Sequence, residues 1–213
     1  MTPTTVRPTP REEWANCISH GLGLLFGLFA VPVLISSALA NGSWVALIGS
    51  IVYGLSFLMV FAFSTLYHGF RHPRLKKILQ TLDHISIYFL IAGSYTPFIL
   101  THVYNTTGLT VLWILWGLTF VGIVFKIFYT EKFELLSTGI YLVMGWMLLP
   151  VAKTFFASLP AEVIHLIIAG GVLYTIGVVF FLWEKMRYNH MVWHLFVLAA
   201  GICHYLAVWI IVS

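Results

Sequence analysis

The chain has 213 residues, of which 60% are hydrophobic and 8% charged, and its formal net charge is +4. Soluble domains are about 45–50% apolar and about 25% charged, so this chain lacks the polar surface to cover a globule in water; its mean hydropathy of +0.96 agrees. That excludes a water-soluble enzyme, a disordered chain and a nucleic-acid module.

The opening stretch is polar and proline-rich and reads as a short tail over residues 1–13. The apolar run behind it is too long for a signal-peptide core and is followed by more such runs, so it reads as a retained first span. A membrane-crossing helix needs about 20 mostly apolar residues. No Asp, Glu, Lys or Arg occurs from Trp14 to Phe70, and the turn residues Asn41-Gly42-Ser43 divide that run into spans over 20–40 and 44–68. The run from His84 to Phe125 is also free of them, and Asn105-Thr106-Thr107-Gly108 divides it into spans over 80–101 and 108–128. Three more spans cover 134–153, 161–183 and 190–211. None alternates polar and apolar residues as a β span does. The expectation is an all-α, polytopic membrane protein: a seven-transmembrane helix bundle forming one domain over 14–213. Pro32, Pro97 and Pro150 fall inside spans and predict kinks.

Lys and Arg set the orientation. Arg7 and Arg11 lie in the tail, and Arg71, Arg74, Lys76 and Lys77 between spans 2 and 3. Lys126 and Lys132 fall between spans 4 and 5, and Lys185 and Arg187 between spans 6 and 7; only Lys153 falls on the other side. The N-terminus is therefore expected in the cytoplasm and the C-terminus outside. Cys17 and Cys203 then lie in opposite halves of the membrane, which argues against a disulfide.

Nine histidines in so apolar a chain are the anomaly, because an ionisable residue inside a span is costly and marks a candidate functional site. His68 ends span 2, His190 and His194 begin span 7, and Asp83 sits near the start of span 3, all on the inner side. His190 and His194 are four apart and share a helix face, one turn from each other. Two such imidazoles can bind one metal, and His68 at matching depth can supply a third ligand. Three neutral nitrogens with one open position is the arrangement of catalytic zinc. Asp83 is then placed to orient or deprotonate a water there, and Ser64, four residues before His68, faces the same way. Each residue alone has an ordinary explanation. An i, i+4 histidine pair is common, His68 can cap a helix beside Arg71, and Asp83 can serve a helix N-terminus or pair with Lys76 or Lys77. Their shared depth favours the joint reading. His20, with Ser19 and Asn16, is expected to close the cavity floor, and His204, about 15 Å beyond His194 along the axis, to be a bonded core histidine or to line a cavity. His72 and His84 read as solvated or interfacial, and Glu12 and Glu13 as interfacial partners of Arg11.

The motifs resemble the bacterial hemolysin III proteins, grouped with the adiponectin and progestin receptors (the PAQR family) and, more distantly, with the alkaline ceramidases. They are Glu13-x-x-Asn16-x-x-Ser19-His20-Gly21, Ser64-Thr65-Leu66-Tyr67-His68, Leu82-Asp83-His84 with Ala92-Gly93-Ser94-Tyr95-Thr96-Pro97-Phe98, and Tyr188-Asn189-His190-x-x-Trp193-His194 followed by Gly201 and His204. The resemblance covers 12–213. It implies a seven-helix bundle with a zinc near the cytoplasmic side. The family's three ligands fall on His68, His190 and His194, and its serine and aspartate on Ser64 and Asp83. By analogy with the ceramidase relatives it implies a Zn2+-dependent hydrolase of lipid amides or esters in the plasma membrane, with membrane lipids as substrate or ligand. Two other readings stay open: a non-catalytic receptor or membrane-homeostasis regulator with a zinc site, and a pore-former. The pore has little support, because the chain has no soluble form. A homo-oligomer is compatible with the sequence.

Overall fold

A computed structural model describes residues 8–130 and 132–213; Arg7 and the rest of the first seven residues lie outside the described residues. The described chain is helical: α1 (Pro10–Asn41), α2 (Trp44–Gly69), α3 (Pro73–His102), α4 (Thr106–Tyr129), α5 (Glu134–Gly145), a 3-10 turn (Leu149–Val151), α6 (Ala152–Ala157), α7 (Ala161–Leu182) and α8 (Asn189–Val212). Taking Glu134–Ala157 as one unit, seven helical segments among the described residues are long and apolar enough to cross a membrane. Phe29, Trp113 and Phe128 stand exposed on the outer surface, where a bilayer and not water is the solvent.

The predicted turns fall where expected. Gly42 takes the left-handed conformation (φ 75°) that ends α1, and the Ser43 and Asn105 side chains cap α2 and α4. Two helices start earlier than their apolar runs. Thr9 and Glu12 form a capping box around Pro10, a strong helix start, so residues 10–13, read as tail, are the first turn of α1. Glu12 thus bonds Thr9, not Arg11. Pro73 likewise opens α3, which puts Arg74, Lys76 and Lys77 on its first two turns and Asp83 about a turn and a half further in.

The fifth span is not one helix. After Gly145 the chain turns, and Pro150, which has no N–H to donate, sits in the 3-10 turn before α6. A break at membrane depth needs other partners for its backbone groups. Tyr95 of α3 supplies them: its hydroxyl donates to the Gly145 carbonyl at 2.6 Å and accepts the Leu148 N–H at 3.3 Å. Trp146 donates from its indole to Thr175 of α7 at 3.0 Å.

The helices pack in two rows joined through α1. One row is α1-α2-α3-α4, and the other is α1-α8-α7. α3 is the most enclosed, with 67% of its most apolar window buried, against 22% for the broken α5–α6 segment. At Gly49 a Cβ would fall 2.7 Å from the Pro97 Cα, so α2 and α3 touch backbone to backbone. Between the rows lies a cavity of about 150 Å³. It meets a second, of about 280 Å³, at Tyr95, Trp146, Gly171 and His204.

Candidate metal centre

Two helix ends bring three histidines together at the end of the bundle where α1 begins. His68 is the penultimate residue of α2, and His190 and His194 lie in the first two turns of α8. Their ring centroids are 5.1 Å (His68–His190), 5.1 Å (His68–His194) and 4.5 Å (His190–His194) apart. One ring nitrogen from each lies within 4.8 Å of the others. The three residues picked out by spacing and depth therefore form a cluster able to hold a metal ion.

The hydrogen bonds around the cluster leave lone pairs pointing into it. His68 Nδ1 bonds Glu13 Oε2 at 2.7 Å, while its Nε2 is buried with no protein partner. A carboxylate accepts a proton, so Nδ1 carries the hydrogen and Nε2 the lone pair. His194 Nδ1 donates to the Asn16 carbonyl at 3.1 Å and lies 3.0 Å from Ser19 Oγ, which itself donates to the same carbonyl. That again leaves Nε2 as the acceptor. A ligand histidine anchored through its other nitrogen by a carboxylate or a carbonyl is the usual support of a metal site. Orphaned buried nitrogens without an ion cost free energy, so the residues fit a metal.

His20 stacks on His194, with centroids 3.5 Å apart and planes 18° apart, and is 3% exposed. It lines the main cavity and walls the centre. The α8 start is held in place by Asn189, whose amide donates to the Phe181 carbonyl at the end of α7 at 3.1 Å. Tyr188 just before it has a left-handed φ of 60°, a conformation that costs free energy in a non-glycine residue.

Asp83 and Ser64 line the main cavity together with His190 and His194, and the buried Ser64 hydroxyl has no hydrogen-bond partner among the described residues. Lys76 bonds Glu13 at 2.9 Å and the Tyr67 carbonyl at 3.0 Å, so it pairs with Glu13 and not with Asp83. Glu13 is correspondingly a partner of His68 and Lys76, not of Arg11. The sequence carried a signal for it: Glu13, Asn16 and His20 recur at helical spacing and form a polar stripe on one face of α1. Two further expectations change. His84 is not solvated but lines the cavity, and Lys126 is a buried residue of α4, not part of a connection. His204 fills both of its expected roles: Nε2 donates to the Ile167 carbonyl at 3.3 Å, and the ring borders both cavities. Cys17 and Cys203 are free thiols.

Seven spanning helices around a histidine cluster able to hold a metal ion define a multi-pass membrane protein. The chain belongs to the haemolysin-III related family, whose family model matches residues 9–205. It is 43% identical to Hemolysin-3 of Bacillus cereus over 191 residues, covering 90% of this chain and 87% of that one. It is 44% identical to the Hemolysin-3 homolog of Bacillus subtilis (strain 168) over 193 residues, 91% of each chain. To the human monocyte to macrophage differentiation factor it is 28% identical over 213 residues, 95% of this chain and 85% of that one. No solved structure matches it.

Proposed function

We propose that the protein is a zinc-dependent hydrolase that cleaves an amide or ester bond of a membrane lipid, with the centre at the cytoplasmic face. The observation that carries the reading is the placement of a carboxyl and a hydroxyl, Asp83 and Ser64, in an apolar cavity beside His190 and His194. A structural zinc takes four protein ligands, whereas three histidines leave a position open. His68, His190 and His194 would hold the ion. When bound, it would act as a Lewis acid on the lipid carbonyl and lower the pKa of water at the centre.

The chain's own groups divide the remaining work. Glu13 and the Asn16 carbonyl hold His68 and His194 in the ligating tautomer. Asp83 accepts the proton of the water that attacks the carbonyl carbon and returns it to the leaving nitrogen or oxygen as that bond breaks. Ser64 donates a hydrogen bond within the site, and the apolar walls exclude bulk water and take the acyl chain.

The test begins with metal content. Wild type and His68→Ala, His190→Ala and His194→Ala are purified in detergent and their bound zinc is measured. Stoichiometric zinc in wild type and loss in each variant is the expected result; equal zinc in all four rules the centre out. Wild type and Asp83→Asn are then incubated with ceramides and phospholipids. Hydrolysis by wild type, reduced by about 10²-fold or more in Asp83→Asn, is expected for loss of a general base. No hydrolysis, or equal rates, would leave the metal without a catalytic role.

A further inference from the structure

Where the two cavities meet, most polar side chains are already bonded within the protein. Ser94 donates to the Ile91 carbonyl, and Tyr95 bridges the break in the fifth span. Trp146 donates to Thr175, which itself donates to the Gly171 carbonyl. Two groups are left over. The Tyr174 hydroxyl is buried and has no hydrogen-bond partner among the described residues, although a buried phenol normally finds one. His204 uses only one of its nitrogens: Nε2 donates to the Ile167 carbonyl at 3.3 Å, so in the neutral ring Nδ1 keeps its lone pair. No hydrogen bond of Nδ1 occurs among the described residues.

The two groups are neighbours. The Tyr174 and His204 rings meet edge to face, with centroids 5.6 Å apart, and both residues line the main cavity. Their placement is tightly fixed. A Cβ on Gly170 would run into the His204 ring, so the imidazole lies against bare backbone of α7, and Tyr174 stands one turn further along the same face. The walls around them are apolar: Leu90, Ile91 and Val197 in the main cavity, Phe98 and Ile168 in the second. No charged residue among the described ones lines the second cavity, so an ion there would lose its hydration without a counter-charge. An unmet donor beside an unmet acceptor suits a neutral hydroxyl, which accepts from one and donates to the other.

We propose that Tyr174 and His204 form a neutral subsite that recognises a hydroxyl group carried partway along the hydrocarbon chain of a lipid. Tyr174 donates to the hydroxyl oxygen, and the hydroxyl donates to His204 Nδ1. The inference rests on the proposed reading of the cavity as a lipid site and names the class of lipid it takes. His204 lies ten residues beyond His194, about 15 Å along the α8 axis. The recognised group is therefore remote from a carbonyl at the metal centre and falls in the middle of a long chain. Beyond it the chain passes Trp146 and Gly171 into the second cavity.

The full chain in detergent is tested for binding of radiolabelled stearate, 10- and 12-hydroxystearate, the two matching oxostearates and 18-hydroxystearate, which share one head group. We expect wild type to bind at least one mid-chain hydroxy acid about tenfold or more tightly than stearate, the worth of two neutral hydrogen bonds made to groups otherwise unmet. Its oxo counterpart can accept from Tyr174 but has no hydrogen for His204, so it should fall between the two. The 18-hydroxy acid, with its hydroxyl at the chain end, should gain nothing over stearate. These comparisons need no variant. Tyr174→Phe should bring the hydroxy and oxo acids to the level of stearate, and His204→Ala should bring the hydroxy acid down to its oxo counterpart. Equal affinity of wild type for stearate and both mid-chain hydroxy acids overturns the subsite. So does a preference that Tyr174→Phe leaves undiminished, or one that 18-hydroxystearate shares. No binding of any of the acids would instead remove the lipid-site reading itself, and the subsite with it.

Discussion

At the scale of single residues, the polar groups of α1 are supports for histidines on other helices. Glu13 joins His68 to Lys76, and a carboxylate behind a ligand histidine typically accounts for 10–100-fold in metal affinity. Glu13→Gln keeps the size and removes the charge; zinc affinity, measured by competition with a chromophoric chelator, should fall by about that factor. An unchanged affinity would mean that the 2.7 Å contact does not orient the ring. Much of this scale was legible beforehand. The four-residue spacing of His190 and His194 and the depth of His68 give the cluster without any structure, because helical periodicity fixes which side chains share a face. Lys126 was not legible. A lysine at the end of a span reads as an orientation signal whether it faces water or a cavity, and only packing distinguishes the two.

At the scale of elements, the spans were legible and the helices were not. An apolar run measures how much of a helix lies in lipid; it does not say where the helix starts, which Thr9-Pro10 and Pro73 decide through capping and the fixed φ of proline. The break after Gly145 was hidden for a different reason: its stabilising partner, Tyr95, lies some 50 residues away in sequence. Removing that hydroxyl leaves the Gly145 carbonyl and the Leu148 N–H without their side-chain partner. Tyr95→Phe should therefore destabilise the detergent-solubilised protein by about 1–3 kcal/mol, read as a lower Tm, with zinc content unchanged. A Tm equal to wild type would show that the break satisfies itself by other contacts.

At the scale of the whole molecule, an ion held between α2 and α8 would act on stability as well as on chemistry. An ion that binds the folded chain and not the unfolded one stabilises it by about 2.7 kcal/mol at a hundredfold excess over its Kd. Chelation should lower the Tm of wild type and leave that of His190→Ala unchanged; equal shifts in both would place the chelator's effect elsewhere. The closure of the bundle depends on the same helices. α8 packs on α1 as well as α7, and Tyr205 and Trp209 bond Ala30 and Ser37 of α1 at 3.0 and 3.1 Å.

That closure has a temporal side. Glu13, Asn16 and His20 leave the ribosome first, His68 soon after, and His190 and His194 with the final helix. During synthesis Glu13 meets His68 and Lys76 once α2 and α3 are made, whereas the Asn16 carbonyl and His20 meet His194 only when α8 arrives. A metal captured then would act as the last clasp of assembly, and a polypeptide halted after α7 would leave those groups open to the membrane, marking it as unfinished.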